Sequence, residues 1–116
     1  SSIYKKLKSD NPVAVVTDQT GCPTYTLDIA NYLLNTVLEE KPSGVMHLCN
    51  DNPVNWHQFA LAIEELAATG KMIEAISSKD LKRLATRPEC SILSSERIKP
   101  MRNFKLALQE YITQYL

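Results

Sequence analysis

The alternation of short β-branched runs with longer segments of helical periodicity is the feature that most constrains the fold of this chain. Val13–Thr17 is too short for a helix and predicts a buried strand. From Leu27 to Leu38, apolar residues recur every three or four positions, which predicts a helix with Thr24 or Thr26 at its N-cap. The pattern therefore predicts an α/β fold in which short strands alternate with helices.

The same alternation extends along the rest of the 116 residues, a length that fits one domain. Asn55 and Gln58 have the form of a capping box at the start of a helix, and Ser77 with Asp80 begins a short helical turn. The other predicted elements are, in chain order, a short helix at 3–7, strands at 45–49 and 72–76, a helix from 56 that stops at Gly70, a short strand at 91–93 in an otherwise irregular segment, and a helix at 104–115.

The charge balance excludes several classes of partner. Thirteen basic residues offset thirteen acidic ones, so nothing favours nucleic acid or an anionic membrane surface. No apolar run approaches the length that spans a bilayer. The three cysteines are widely spaced and form no Cys-x-x-Cys pair, which favours a reducing compartment. We therefore expect a cytoplasmic protein.

Two groups of residues suggest a metal site and a catalytic cysteine, respectively. His47 and Cys49 share one face of a predicted strand near His57, but a zinc site needs three or four converging ligands, so we predict no metal site. Cys22 precedes a helix, where the pKa of a thiol can fall, yet the sequence places no base beside it. A half-buried strand and an ordinary loop cysteine are the favoured interpretations.

Two further features are ambiguous when each is taken alone. Tyr4 and Lys8 have the Tyr-x-x-x-Lys spacing of a proton-donating pair, but they lie in a Lys-rich segment with no glycine-rich phosphate loop before it. We interpret that spacing as coincidence. Arg87, held by the adjacent Pro88, is able to pair with a phosphate or carboxylate. Taken alone, however, it is better interpreted as an ordinary surface arginine that caps a helix end.

Five motifs follow one another along the chain: Val-Thr-Asp-Gln-x-Gly-x-Pro-Thr-x-x-x-Asp-Ile-Ala at 16–30, Gly-Val-Met-His-Leu at 44–48, Asn-Trp-His-Gln-Phe-Ala at 55–60, Arg-Pro-Glu-Cys-Ser-Ile-Leu at 87–93 and Leu-Ala-Leu-Gln-Glu-Tyr at 106–111. In this order they resemble the C-terminal part of the dTDP-4-dehydrorhamnose reductase family, which are extended short-chain dehydrogenase/reductases. Each motif alone is weak, and the ordered set is fairly specific.

The resemblance implies that residues 1–116 are the C-terminal substrate-binding portion of a Rossmann-type reductase. The nucleotide-binding Rossmann half, with the catalytic Tyr and Lys, is then absent from this chain. We accordingly expect no catalytic and no cofactor-binding residue here, and no activity from the chain alone. The whole enzyme is expected to use NADPH or NADH, bound by the absent N-terminal half, to reduce dTDP-4-dehydro-L-rhamnose to dTDP-L-rhamnose, with Mg²⁺ a further requirement in some full-length members.

The resemblance also assigns three substrate-binding residues. Gln19 and Thr24 are expected to contact the nucleotide-sugar from the loop that contains Gly21, where glycine gives the backbone its freedom. Arg87 is expected near the sugar or diphosphate, and Thr24 is almost equally suited to cap the helix.

Two alternatives stay open at this point. Other nucleotide-sugar epimerases and reductases share the layout, and so does the non-catalytic regulatory subunit of methionine adenosyltransferase, which resembles these reductases. The expected partners are the substrate and the missing Rossmann half. We also expect apolar surface that the missing half leaves bare, or that a second copy covers in a homodimer.

Overall fold

The computed structural model describes residues 2–40, 43–94 and 96–115. In chain order, the helices are α1 (Ser2–Leu7), α2 (Thr26–Tyr32), α3 (Leu38–Glu40), α4 (Trp56–Ala67) and α5 (Phe104–Tyr115), with a π-helical segment at Leu33–Val37 and a 3-10 turn at Ser78–Asp80. The strands are β1 (Val13–Val16), β2 (Thr20–Gly21), β3 (Asn50–Asp51), β4 (Val54–Asn55), β5 (Ile73–Ile76), β6 (Cys90–Ser91) and β7 (Met101–Asn103). The α/β fold class predicted from the sequence is confirmed.

The chain forms two compact units. The first comprises Ser1–Gly21 and Pro53–Ser91, and the second comprises Cys22–Asn52 and Ile92–Leu116. Each unit is therefore built from two separate stretches of sequence.

In the first unit, β1 pairs in parallel with β5, so that Val13 lies opposite Ile73. α4 packs against both strands and against α1, and Ile63 of α4 is almost completely buried. The predicted capping box is confirmed, since the side chain of Asn55 accepts from Gln58 N and that of Gln58 accepts from Asn55 N. This parallel pair and its helix form the core of the unit.

A three-stranded sheet in the same unit positions the predicted binding loop. β2 lies between β4, to which it is antiparallel, and β6, to which it is parallel. Gly21 belongs to β2, and a Cβ there would lie 3.0 Å from Ser91 Oγ. Among the described glycines only Gly44 and Gly70 have positive φ, so the predicted backbone freedom is not the reason for Gly21. A side chain at this position would require the hydroxyl of Ser91, which donates to the carbonyl of Thr20, to shift by a few tenths of an ångström.

The second unit contains a small parallel pair, β3 with β7, against which α5 packs. Three apolar side chains of α5 are buried: Phe104, Ala107 and Leu108. The predicted helix from Leu27 to Leu38 is present, although its middle turns are π-helical. It leaves several leucines exposed, namely Leu27, Leu33, Leu34 and Leu38.

Three strand predictions need correction. Residues 45–49 form no strand, and Val45 is 79% exposed. An apolar run becomes a strand only where another strand pairs with its backbone, and the pairing begins one residue later at Asn50. Met72 lies outside β5 and is 90% exposed, because the pairing with β1 starts at Ile73. The strand predicted at 91–93 is instead Cys90–Ser91, in register with β2.

Candidate functional site

Gln19 and Arg87, two of the three predicted binding residues, line the same cavity of the first unit. The cavity has a volume of about 230 Å³. Gln19 is buried within its wall, whereas Arg87 is exposed. The other lining residues are Ser78, Lys79, Leu81, Arg83, Ala85 and Thr86.

The parallel pairing of β2 with β6 explains why these two residues meet. Gln19 directly precedes β2, and Arg87 stands three residues before β6. The pairing is extended by a 2.8 Å hydrogen bond from Thr20 N to the carbonyl of Glu89. On the other side, Trp56 N donates to the carbonyl of Gln19 at 3.3 Å and fixes its backbone to the start of α4. The sheet thus holds residues distant in sequence on one wall.

The cavity has the electrostatic character of an anion site. Lys79, Arg83 and Arg87 contribute three cations, and the described residues that line it include no carboxylate. A guanidinium presents paired N–H donors that match a phosphate or carboxylate. The amide of Gln19 adds a group that can both donate and accept. This arrangement can bind an anionic ligand that also carries hydroxyl groups.

Asp18 positions the part of the wall that carries Lys79. Its carboxylate accepts from the backbone N of Ser78 at 2.8 Å and from the hydroxyls of Ser77 and Ser78, each at 2.9 Å. The bond from Ser78 N lowers the pKa of Asp18 most; partial burial opposes it, and the two hydroxyls lower it further. The chain after β1 is thereby tied to the 3-10 turn after β5.

We expect the stability contributed by Asp18 to depend on pH. Because its pKa in the folded protein lies below the ordinary 3.8, the contribution is complete above about pH 5 and is lost as the pH falls through the folded value. Asp18→Asn should lower the free energy of unfolding at neutral pH, and the difference from wild type should shrink below about pH 3. Urea unfolding followed by the fluorescence of Trp56, the single tryptophan, measures this unit. If the variant has the same deficit in the free energy of unfolding at neutral pH as below about pH 3, the result would contradict the role of the carboxylate.

Thr24, the third predicted residue, belongs to the second unit. Its hydroxyl donates to the carbonyl of Cys22 at 3.0 Å and accepts from Asn50 N at 3.4 Å. The prediction that Thr24 or Thr26 caps α2 is wrong, since the N-cap is Tyr25 and its side chain makes no capping hydrogen bond. The chain instead satisfies Tyr25 N with the side chain of Asn50, at 2.7 Å. Substrate contact by Thr24 stays a prediction.

Asn50 is the polar centre of the second unit, and no local sequence pattern predicts it. It is 1% exposed, and its Nδ2 donates to Asp28 at 2.7 Å and to the carbonyl of Arg102 at 2.9 Å. Arg102 also forms two hydrogen bonds to Asp28, at 3.0 and 2.7 Å, and one to Glu110 at 2.7 Å. Burial alone would raise the pKa of Asp28, but the hydrogen bonds from Arg102 and Asn50 lower it. The same ion pairs raise the pKa of Arg102.

The residues considered for metal binding or catalysis make structural contacts. A ring nitrogen of His47 lies 3.3 Å from the carbonyl of Ser94, and one of His57 lies 3.2 Å from that of Ile73. Within the described ranges, no group of three or more His, Cys, Asp or Glu is placed to hold a metal ion. Nor does any helix there have both the length and the apolar character needed to cross a membrane.

The chain is similar to a known domain family and to several known proteins. Residues 1–116 match the family described as the RmlD substrate binding domain. The chain is 30% identical to the spore coat polysaccharide biosynthesis protein SpsK of Bacillus subtilis, over 97% of the chain and 41% of that protein. It is 35% identical to the dTDP-4-dehydrorhamnose reductase of Aggregatibacter actinomycetemcomitans, over 84% of the chain and 37% of that enzyme.

A solved structure shares the fold. The dTDP-4-dehydrorhamnose reductase of Bacillus anthracis, crystallised in complex with NADP, superposes with a TM-score of 0.88 at 24% identity. The alignment covers 97% of this chain and 42% of the crystallised one. The chain thus spans about two fifths of the length of the proteins it matches, and it corresponds to their C-terminal part.

Proposed function

The chain belongs to the RmlD substrate binding domain family, and on that premise we propose that it binds the nucleotide-sugar substrate of a dTDP-4-dehydrorhamnose reductase. The observation that carries the proposal is the cationic cavity that contains both Gln19 and Arg87. A nucleotide diphosphate supplies the negative charge that such a wall attracts, and a sugar supplies hydroxyls for a buried amide.

In the proposed reaction, the residues of this chain bind and orient the substrate. Arg87, with Lys79 and Arg83, holds the diphosphate, and Gln19 forms hydrogen bonds to the sugar. Thr24 is the third proposed substrate contact, through its hydroxyl. With the diphosphate fixed, the 4-keto carbon of dTDP-4-dehydro-L-rhamnose is presented in a constant position, and this positioning lowers the entropic part of the barrier to reduction.

The residues of this chain do not fit a nicotinamide site. The sequence has three glycines and contains no Gly-x-Gly-x-x-Gly motif of the kind that receives a dinucleotide pyrophosphate. NADPH or NADH, which supplies the hydride, and any Mg²⁺ are therefore assigned in this proposal to the N-terminal half of the reductase. The proposal assigns no catalytic residue to this chain.

The binding proposal is tested by titrating the chain calorimetrically with dTDP, dTMP and thymidine. We expect dTDP to bind most tightly and thymidine least, because affinity comes mainly from the diphosphate. Added salt should weaken dTDP binding, since the cations are exposed. Equal affinities for dTDP and thymidine would contradict an anion site in this cavity.

We further predict that the chain alone does not reduce the substrate. Purified residues 1–116, incubated with NADPH and dTDP-4-dehydro-L-rhamnose, should consume NADPH only at the background rate. A full-length reductase of the same family, assayed in parallel, shows that the substrate is competent. Consumption above background would mean that the chain carries its own catalytic machinery.

A second candidate is a related reductase or epimerase that acts on another nucleotide-sugar. It is favoured by the name of one relative, which refers to spore coat polysaccharide rather than to rhamnose. Competition between dTDP-, UDP- and GDP-sugars for the cavity separates the two candidates. A preference for dTDP-rhamnose supports the first, and a preference for another sugar supports the second.

We also propose that a partner covers the exposed leucines of the helix formed by α2, the π-helical segment and α3. Leu33, Leu34 and Leu38 project apolar surface into solvent in this chain. The Rossmann half of the reductase is the partner proposed first, and a second copy in a homodimer is the alternative. Light scattering of the chain alone decides whether copies associate. We place the protein in the cytoplasm, because its three cysteines are widely spaced and form no Cys-x-x-Cys pair.

A further inference from the structure

Cys22 and Cys49 share one hydrogen-bond acceptor in the second unit. Each sulfur lies 3.7 Å from the carbonyl oxygen of Leu93, so the two sulfurs are separated by at most twice that distance. Both cysteines are in the thiol form. Neither takes part in the proposed binding of substrate.

Hydrogen bonds join the chain segments that follow the two thiols. Tyr25 N donates to the side chain of Asn50 at 2.7 Å, and Asn50 N donates to the hydroxyl of Thr24 at 3.4 Å. Thr24 and Tyr25, two and three residues after Cys22, are thus held against Asn50, which directly follows Cys49. A disulfide requires adjacent backbones, with a Cα separation of roughly 4.4–6.8 Å, and a change of side-chain rotamer then brings the sulfurs together.

The two thiols differ in accessibility in a way that sets the order of reaction. Cys22 is half-buried and open to a small molecule, whereas Cys49 is 5% exposed. We propose that Cys22 and Cys49 form a reversible intramolecular disulfide by exchange with a low-molecular-weight disulfide such as oxidised glutathione. Cys22 is the attacking residue, and Cys49 is the resolving residue.

The exchange proceeds in two balanced steps. The thiolate of Cys22 attacks one sulfur of oxidised glutathione, whose S–S bond breaks, and the departing glutathione thiolate takes a proton from water. The thiolate of Cys49 then attacks the Cys22 sulfur of the mixed disulfide and releases the second glutathione. Two protein thiols are oxidised, and one glutathione disulfide is reduced to two glutathione molecules. Water replaces the two S–H donors at the carbonyl of Leu93, which is an exposed residue.

The test is to incubate the folded chain with oxidised glutathione, block the remaining thiols and map the linked peptides by mass spectrometry. We expect the Cys22–Cys49 link to exceed every link to Cys90 by at least tenfold. In concentrated urea, the Cys22–Cys49 link should exceed the Cys49–Cys90 link by only about twofold. In the unfolded chain, the probability that either link closes its loop depends only weakly on the length of that loop. Reduced glutathione should return the protein to its original mass.

Matched variants complete the experiment. Cys90→Ser should retain the link in full, since the contact that Cys22 and Cys49 share at the carbonyl of Leu93 does not involve Cys90. Cys22→Ser and Cys49→Ser should each abolish it. If a variant fails to fold, the mapping of the wild-type chain and of Cys90→Ser still decides. Glutathione retained on Cys22 without a link to Cys49, or links mainly to Cys90, would overturn the proposal.

Discussion

Asn50→Ala should lower the free energy of unfolding of the second unit by about 3 kcal/mol. The amide of Asn50 accepts from Tyr25 N and donates to Asp28 and to the carbonyl of Arg102. Because Asn50 is 1% exposed, water does not easily replace these bonds after truncation. Each polar group left buried without a partner costs about 1–3 kcal/mol. Loss of the Tyr25 bond also leaves the first turn of α2 without its substitute for a side-chain cap.

Urea unfolding followed by circular dichroism measures the effect, with Asn31→Ala as the matched control. Asn31 lies in α2 and is exposed, so the same truncation there removes no buried hydrogen bond and improves helix propensity. We expect the free energy of unfolding of the control to lie within about 0.5 kcal/mol of the wild-type value. If Asn50→Ala and Asn31→Ala lower the free energy of unfolding by the same small amount, Asn50 does not organise the unit.

The elements that the sequence predicted well are those stabilised by their own local pattern. The apolar stripe of α4 and its capping box from Asn55 to Gln58 are local signals, and both are confirmed. The strands of two or three residues exist only because distant chain segments pair. β2, for example, is defined by partners at Val54–Asn55 and Cys90–Ser91. The failure at 45–49 has the same origin, because its composition suits a strand but no strand pairs with it.

In the candidate site, too, the residues in local motifs were predicted, and those placed by distant contacts were not. Gln19 and Arg87 were predicted because each lies in a motif that resembles the reductase family, and they line one cavity. Lys79 and Arg83 were missed. Both lie in a charged stretch whose placement depends on the contact between Asp18 and Ser78, a contact that no local pattern indicates. Asn50 was missed for a similar reason, since a single asparagine after an apolar run suggests an exposed turn and not a buried centre.

Arg87→Ala should weaken the binding of dTDP by at least tenfold, and it should weaken substrate more than cofactor in a full-length reductase. Loss of a charge-assisted hydrogen bond costs about 1.5–3 kcal/mol, and the exposure of Arg87 places the effect in the chain alone near the lower value. Tenfold corresponds to about 1.4 kcal/mol. Arg87→Lys should show an intermediate loss, because the charge is kept while the paired N–H donors are lost.

Lys82→Ala is the matched control for Arg87→Ala. Lys82 is an exposed cation in the same segment, but it does not line the cavity, so its removal changes the net charge equally and leaves the wall intact. Titration of dTDP at two salt concentrations separates the two variants, since only the loss of a phosphate contact should reduce the salt dependence appreciably. In the full-length enzyme, the dissociation constant of NADPH should stay within about twofold for both variants, because we assign the cofactor to the other half. Equal weakening of dTDP binding by Lys82→Ala, or equal weakening of substrate and NADPH by Arg87→Ala, would mean that Arg87 acts through general charge and does not bind the diphosphate.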